Sequence, residues 1–306
     1  MAVCGWLRSR WTVGRPSEPT AAAAAGELCD ARSEIAMVAA PLAVTRFAGV
    51  SGLRAMPTLV PGAASRATAA SRTSRAISAA SGRFRYAYCH GFLSGPESSK
   101  GRALRKFFAR HDADLALLNL NTDGNPSKLS FAGAQAKIDA HWRADAARAP
   151  LRLVGSSFGG TAALAYANRH PERVNRLLLL CPGFDLGARW ESIVGADALA
   201  AWERVGVHTF ALPRTGEPCD VPWAFVEESR RQPPLEPPPC PTVIVHATED
   251  EVVPWTLSAD FVERCPDAAR PDLVLVDDDH ALCAPASLAA VEWEAARLFE
   301  FESRDD

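Results

Sequence analysis

The stretch Leu151-Arg-Leu-Val-Gly-Ser-Ser-Phe-Gly-Gly-Thr161 decides the fold of this chain. A short apolar run ends in Gly155-Ser156-Ser157-Phe158-Gly159, and an alanine-rich segment that favours helix follows it. A strand, a Gly-x-Ser-x-Gly turn and a helix, in this order, are typical of a nucleophile elbow. The motif therefore predicts a strained backbone at the middle residue of the turn, with its hydroxyl exposed above a sheet.

The glycine spacing selects Ser157 rather than Ser156 as the candidate nucleophile. Only Ser157 has a glycine two residues before it and another two residues after it, at Gly155 and Gly159. A side chain at either of these positions would crowd the tight turn, so glycine is expected at both. The same residues also fit an ordinary helix N-terminus capped by serine, so the motif needs support from the rest of the chain.

From residue 84 onward, short apolar runs alternate with amphipathic segments, which is the pattern of a parallel sheet covered by helices. The predicted strands are 84–89, 114–120, 151–154, 174–180, 242–246 and 272–276, and the predicted helices are 98–111, 132–147, 158–170, 254–265 and 286–301. Between them the alternation lapses into aromatic-rich helical pieces, and we interpret 186–239 as a helical lid insertion. The predicted class is α/β, with a mostly parallel sheet in one domain over 84–303.

Residues 1–83 differ in composition and predict a leader rather than a folded unit. They contain ten arginines against four acidic residues, and no Asp or Glu occurs between residues 35 and 82. An acid-free, Arg- and Ser-rich N-terminus is typical of a transit peptide for a mitochondrion or a chloroplast. The alternatives are a secretory signal built on 35–44, or a disordered extension without an address, which would leave the protein cytoplasmic.

Composition narrows the possible partners and cofactors. The net charge of the 306-residue chain is −3, and its basic excess lies in the leader, so nucleic acid is not an expected partner. No run approaches the roughly 20 apolar residues of a membrane-spanning helix. The eight cysteines show no C-x-x-C pair and no metal-ligand spacing, so no metal site is expected. A disulfide between Cys219 and Cys240 is left open.

A serine hydroxyl becomes a nucleophile only when a base takes its proton, and that base needs an orienting acid. His280 follows the last predicted strand, in a loop that can reach the turn at Ser157. Asp250 follows the preceding strand, and its neighbours Glu249 and Glu251 are expected to point elsewhere. The order Ser, Asp, His at the ends of three strands predicts a catalytic triad.

Attack on an acyl carbon also needs two backbone N–H groups that stabilise the oxyanion. Phe158, directly after the serine, is expected to provide one of them at the start of a helix. The other is assigned to Phe92, with Leu93 as the alternative, because His90-Gly91 precedes them in the loop after the first strand. His90 is interpreted as a residue that orders this loop, and His246, inside a strand, as structural.

These motifs resemble the α/β-hydrolases and, more narrowly, the small bacterial esterases of the YqiA type. The resemblance spans about 84–301 and depends on Tyr88-Cys-His-Gly-Phe-Leu-Ser-Gly-Pro96 with Ser98-Ser99-Lys100, Gly155-Ser-Ser-Phe-Gly-Gly160, Cys181-Pro-Gly-Phe184 with Arg189-Trp190, Glu249-Asp-Glu-Val-Val-Pro254 and Asp278-Asp-His-Ala-Leu282. It implies an α/β-hydrolase fold and a serine esterase or thioesterase for small or medium acyl groups, without a cofactor. The long leader departs from the bacterial pattern and suggests an organelle-targeted relative.

The leading hypothesis is hydrolysis of a small-molecule acyl ester or thioester through an acyl-enzyme on Ser157. An acyl-protein or acyl-CoA thioesterase would use the same residues and is the nearest alternative. An alternative of another class is a non-catalytic module that holds a ligand against the aromatic insertion. Turnover that disappears with Ser157→Ala distinguishes an enzyme from a binding module.

Overall fold

A six-stranded parallel sheet forms the centre of the computed structural model, which describes residues 84–302. The strands, in chain order, are β1 Arg85–Cys89, β2 Leu115–Leu118, β3 Leu151–Ser156, β4 Val174–Leu180, β5 Val207–Ala211, β6 Pro218–Pro222, β7 Thr242–Ala247 and β8 Asp272–Val276. The central sheet has the order β2-β1-β3-β4-β7-β8, and all of its pairings are parallel. In such a sheet the carboxyl ends of the strands share one edge, which is where ligands bind.

Helices connect the strands and cover the sheet. They are α1 Ser99–Arg110, α2 Phe131–Arg143, α3 Phe158–Arg169, α4 Leu186–Val194, α5 Ala196–Val205, α6 Trp223–Arg230, α7 Thr256–Arg264 and α8 Pro285–Phe299, with 3-10 turns at Thr122–Gly124, Pro126–Lys128 and Asp267–Ala269. Two helix starts follow the expected chemistry. Ser98 caps α1 by accepting a hydrogen bond from the Gly101 N–H at 3.2 Å, and Pro285 lies in the first turn of α8.

The sheet has a hydrophobic core on each face, as a doubly covered parallel sheet requires. Strand β4 shows this most clearly, because its four leucines at positions 177–180 are fully buried and alternate in direction. Leu177 and Leu179 belong to the cluster that includes α3, whereas Leu178 and Leu180 belong to the cluster that includes α1 and α8. The predicted α/β class, with a parallel sheet between helices, is confirmed.

The insertion contains a two-stranded hairpin in addition to the helices that the sequence predicts. Strands β5 and β6 pair antiparallel between α5 and α6. The hairpin was missed because Pro218 and Pro222 bound β6, and proline within an apolar run argues against a strand. These prolines are tolerated here because β6 has a neighbour on one side only.

Two further expectations concern the leader and the cysteines. The leader predicted over 1–83 lies outside the described residues. Cys219 and Cys240, whose pairing the sequence left open, are both free thiols.

The start of α3 packs very closely against the end of β1. A Cβ atom built on Gly159 would lie 2.1 Å from the carbonyl oxygen of Cys89 and 2.5 Å from that of His90. Both neighbours are backbone atoms of a buried strand end, so they cannot move aside cheaply. Gly159 is therefore required for the packing of α3 against the sheet.

We expect Gly159→Ala to lower the free energy of unfolding by at least about 2 kcal/mol, because the added methyl group overlaps backbone atoms. Gly95→Ala is the matched control, since a Cβ at Gly95 meets nothing within 4 Å. The control should change stability by less than about 0.5 kcal/mol. Urea unfolding of both variants measures the difference, and equal stability of the two would contradict this account of the packing.

Candidate active site

The turn between β3 and α3 holds Ser157 in a strained conformation. Its φ is 53° and its ψ is −121°, a region that residues with a side chain rarely adopt. The Ser157 N–H donates to the Leu180 carbonyl at 2.9 Å, and the Ser157 carbonyl accepts from the N–H groups of Gly160 at 2.9 Å and Gly183 at 3.0 Å. These bonds to α3 and to the segment after β4 hold the turn, so the strain is maintained by its surroundings.

Asp250, in the loop after β7, is a buried and fully hydrogen-bonded carboxylate. Its side chain has no solvent exposure. One oxygen, Oδ1, accepts from the N–H groups of Val252 at 2.9 Å and Val253 at 2.7 Å. Burial alone would raise the pKa of Asp250, but hydrogen bonds from His246 and His280 outweigh this effect and hold the pKa well below its usual range. The carboxylate is therefore ionised at neutral pH.

His280, in the loop after β8, contacts the other oxygen of the same carboxylate. Its Nδ1 lies 2.7 Å from Asp250 Oδ2 and donates its hydrogen, because an ionised carboxylate can only accept. Burial lowers the pKa of His280, against the raising effect of Asp250, so the ring is neutral at pH 7. In this tautomer Nε2 carries a lone pair, which is the arrangement that a general base needs.

The structure brings Asp250 and His280 into direct contact and places Ser157 at the same edge of the sheet. Strand β3 leads to the serine, and the strands β4, β7 and β8 follow it in that order across the sheet. Within residues 84–302, no hydrogen bond joins the Ser157 hydroxyl to His280. The predicted pairing of Ser157 with His280 is therefore not made as a hydrogen bond here, whereas that of His280 with Asp250 is.

A second histidine contacts the buried carboxylate, which sequence reasoning missed. His246 is fully buried, and its Nε2 lies 3.3 Å from Asp250 Oδ2 and 2.9 Å from the Val253 carbonyl. Its Nδ1 lies 2.8 Å from Ser258 Oγ. A ring that donates from Nε2 and accepts at Nδ1 satisfies all three contacts. The available signal was a histidine that follows the apolar run Val243-Ile-Val245 in β7, four residues before Asp250.

The same corner also contains the thiol of Cys181, in a grouping that a metal ion could use. Ligand atoms of Cys181, His246 and Asp250 all lie within 4.8 Å of one another. The ring nitrogens of His246 already contact Val253 and Ser258, and both oxygens of Asp250 accept hydrogen bonds. The hydrogen-bond network therefore accounts for the grouping without an ion.

The loop after β1 passes directly beside the serine. A Cβ built on Gly91 would lie 3.2 Å from Ser157 Cβ and 3.8 Å from Ser157 Oγ. In the described part of the chain, the N–H groups of Phe92, Leu93 and Phe158 have no hydrogen-bond acceptor. These are the three groups that the sequence suggested for an oxyanion, and each remains available to one.

His90 fixes the position of this loop. Its buried Nε2 accepts the Leu120 N–H at 3.0 Å, so Nδ1 carries the hydrogen and donates to the Gly91 carbonyl at 2.9 Å. Burial lowers the pKa of His90, which favours the neutral ring that these bonds require. Nearby, the Asn121 side-chain amide donates to the Ser94 carbonyl at 2.9 Å. Both contacts come from the segment after β2 and hold the loop against it.

Aromatic side chains of the insertion cover the same loop. The ring of Phe92 stacks on Phe225, with centroids 5.1 Å apart and planes inclined by 4°. The ring centroid of Phe225 also lies 5.9 Å from that of Phe158, and the ring centroid of Trp190 lies 5.9 Å from that of Phe92. The insertion therefore contacts the side chains of both Phe92 and Phe158, the first-choice residues for oxyanion binding.

Polar contacts anchor the insertion to the body on two sides. The Glu228 carboxylate accepts from the N–H groups of Phe131 and Ala132, each at 2.9 Å, and thereby caps the start of α2. On the other side, the Arg189 guanidinium donates to the Val252 carbonyl, two residues after Asp250. The insertion is thus attached to the loop that carries the buried acid.

Comparisons with known proteins agree with this architecture. A family model described as "Uncharacterised protein family (UPF0227)" matches residues 85–284. The rat protein named "Palmitoyl-protein thioesterase ABHD10, mitochondrial" is 26% identical over 202 residues, which cover 62% of this chain and 66% of that protein. The chain thus spans about two thirds of the length of that relative.

Two solved structures show the same fold. Mouse alpha/beta hydrolase domain-containing protein 10 superposes with a TM-score of 0.57 at 23% identity, over 70% of this chain and 89% of that one. A structure described as a putative hydrolase from Agrobacterium vitis S4 superposes with a TM-score of 0.60 at 21% identity, over 72% and 89%. At this level of identity the likeness shows the α/β-hydrolase fold.

The hydrogen bonds to Asp250 predict a pH-dependent contribution to stability. The pKa of Asp250 is lower in the folded chain than its unfolded value of about 3.9. Its ionised form therefore stabilises the fold above about pH 4, and this stabilisation is lost as the pH falls further. The difference in unfolding free energy between wild type and Asp250→Asn should be largest near pH 7 and should shrink below about pH 4.

Chemical unfolding at several pH values measures this difference. Glu249→Gln is the control, because Glu249 is exposed, and it should stay within about 0.5 kcal/mol of wild type. A difference for Asp250→Asn that grows as the pH falls would show that the carboxylate is not stabilised in its ionised form.

Proposed function

The chain belongs to the uncharacterised protein family UPF0227, within the α/β-hydrolase superfamily, and on this premise we propose that it is a serine hydrolase of carboxylic esters or thioesters. The observation that carries the proposal is the 2.7 Å contact between the buried Asp250 carboxylate and a neutral His280. This pair lies at the same sheet edge as the strained Ser157. A histidine that is oriented by an acid and can reach a serine hydroxyl is the arrangement that activates a serine.

In the proposed reaction, His280 Nε2 takes the proton of the Ser157 hydroxyl as Oγ attacks the acyl carbon. Asp250 stabilises the imidazolium that forms. The tetrahedral intermediate then collapses, the bond to the alcohol or thiol breaks, and the leaving group receives the proton from Nε2. Water, deprotonated by His280, attacks the acyl-enzyme and releases a carboxylic acid with the serine restored.

We assign the oxyanion to the backbone N–H groups of Phe158 and Phe92, with Leu93 as the alternative to Phe92. The support is that these groups lack acceptors among residues 84–302 and that the loop carrying Phe92 passes beside Ser157. Gly155 and Gly159 allow the tight turn because neither residue has a side chain that would overlap neighbouring backbone atoms. A Cβ on Gly155 would lie 2.6 Å from the Gly159 carbonyl oxygen.

Thioester cleavage is the second candidate, and the relatives favour it. The rat relative is named a palmitoyl-protein thioesterase. The same serine, histidine and aspartate would cleave a thioester, because a thiolate leaves more readily than an alkoxide and needs no additional group. Acyl-CoA and acylated protein are both thioesters, so a substrate panel must contain each.

A binding module on a hydrolase fold is the alternative of another class. Such a module has no need for a neutral histidine oriented by an ionised acid, whereas a hydrolase does. The pair of Asp250 and His280 is the reason that we favour the enzyme.

We propose further that residues 1–83 are a mitochondrial leader and that 84–303 form the hydrolase domain, with a lid over about 186–239. The arginine-rich, acid-free composition supports a leader, and the word "mitochondrial" in the name of the relative favours that organelle over the chloroplast. Among the helices of residues 84–302, none has the length and apolar character of a membrane span.

A fusion of 1–83 to a fluorescent protein should be imported by mitochondria, and a fusion that stays in the cytosol would contradict the leader.

The full chain should hydrolyse at least one member of a panel of acyl esters, acyl-CoA thioesters and S-acylated peptides of graded chain length. Ser157→Ala should lower kcat by at least about 10³-fold, because the nucleophile is lost. Ser156→Ala is the matched control and should retain turnover. Equal loss in both variants, or turnover that survives in Ser157→Ala, would refute Ser157 as the nucleophile.

A further inference from the structure

The run Ser98-Ser99-Lys100 has no part in the mechanism above, although it belongs to the most distinctive motif of the chain. We propose that Lys100 is a positioning residue, which holds the loop that carries His280 and keeps a fixed positive charge at the backbone of that residue. The inference rests on the proposed function, since it assigns Lys100 to the same reaction. Its evidence is a contact between the first helix of the domain and the last loop of the site.

The ammonium group of Lys100 donates a hydrogen bond to the backbone carbonyl of His280 at 3.1 Å. Within residues 84–302, this is the one hydrogen bond of the Lys100 side chain, and no carboxylate lies within ion-pair distance of it. A half-buried ammonium loses part of its hydration, and a single bond to a carbonyl repays this loss less well than an ion pair. The contribution of this hydrogen bond to the stability of the fold is therefore a weak explanation for a lysine at this position.

The first turn of α1 is held firmly, so Lys100 is anchored at a defined position. Ser98 caps the helix, and its Oγ lies 3.1 Å from the Tyr88 hydroxyl. Tyr88 is buried in β1, which pairs with the strand that leads to Ser157. Gly101 allows this packing, because a Cβ there would lie 2.7 Å from the Pro96 carbonyl oxygen and 3.0 Å from the Tyr88 ring.

The His280 loop is organised mainly by its own acidic side chains. Asp278 accepts from the N–H groups of Asp279 at 2.8 Å and Ala284 at 3.0 Å, and Asp279 accepts from that of Ala281 at 2.8 Å. These bonds shape the loop without attaching it to α1. In the described part of the chain, the bond from Lys100 is the one hydrogen bond made by the backbone of His280. Lys100 thus holds the residue that carries the proposed base.

Lys100 also contributes to the charge balance around the ring. Burial is the main cause that lowers the pKa of His280; Asp250 raises this pKa, and Lys100 and His246 lower it further. The acidic groups Asp277, Asp278 and Asp279 lie on the same loop as His280. Because the charge of Lys100 opposes protonation of the ring, its removal should raise the pKa of His280. Activity that depends on the neutral ring would then begin to fall at a higher pH as the solution is acidified.

The test uses Lys100→Met in the full chain, with the best ester or thioester substrate of the panel. We expect kcat to fall between about 10-fold and about 100-fold, the range for loss of a charged hydrogen bond, with KM little changed. The acid limb of the kcat/KM profile should move to higher pH.

Lys100→Arg keeps the charge and should restore the wild-type acid limb and part of kcat. Lys106→Met, at an exposed position of the same helix, is the matched control and should behave as wild type.

A folded Lys100→Met with wild-type kcat and an unmoved acid limb would overturn the proposal. A lower kcat with the acid limb of the kcat/KM profile at its wild-type pH would also overturn the proposal, because this result would indicate a merely structural role for Lys100. If Lys100→Met does not fold, Lys100→Gln replaces it with the same expectations.

A second measurement separates this proposal from the proposed function. NMR titration of His280 in wild type and Lys100→Met needs no substrate. A higher pKa for His280 in the variant supports the role of Lys100 even if no panel member is hydrolysed, whereas an unchanged pKa overturns it.

Discussion

The hydrogen bond between Asp250 and His280 is the interaction on which the rest of the site depends. A carboxylate with no solvent exposure is stable only if its oxygens accept hydrogen bonds, and two backbone N–H groups and two histidine rings contact it. These donors keep the acid ionised, and the ionised acid sets the tautomer of His280. The adjacency of β7 and β8 brings the two residues together, since each lies in the loop after its strand. The sheet therefore joins loops from distant parts of the chain at the candidate site.

Much of this arrangement could be predicted from the sequence, because its signals are local. Apolar runs alternating with amphipathic segments predict the parallel sheet, and the glycines around Ser157 predict the turn. Asp250 and His280 could be selected because each follows a strand. Other contacts could not be predicted, since they join residues far apart in sequence: the capping of α2 by Glu228 and the bond from Lys100 to the His280 carbonyl. The β5–β6 hairpin was missed because prolines bound one of its strands.

The insertion is attached to the parts of the body that surround the serine. Its Phe225 contacts the rings of Phe92 and Phe158, and its Arg189 bonds to the acid loop. Phe225 and Phe158 are both buried, so the insertion packs directly on residues whose backbone N–H groups we assign to the oxyanion. Aromatic pairs of this geometry each stabilise the packing by about 0.5–1.5 kcal/mol, so the insertion is held firmly against this part of the body.

The most direct test of an activated serine is covalent labelling with a fluorophosphonate, followed by mass spectrometry of the labelled peptide. We expect a single adduct on Ser157 in the full wild-type chain, no adduct in Ser157→Ala and much slower labelling in His280→Ala. A folded wild-type protein that does not react, or an adduct on Ser156, would show that Ser157 is not an activated nucleophile.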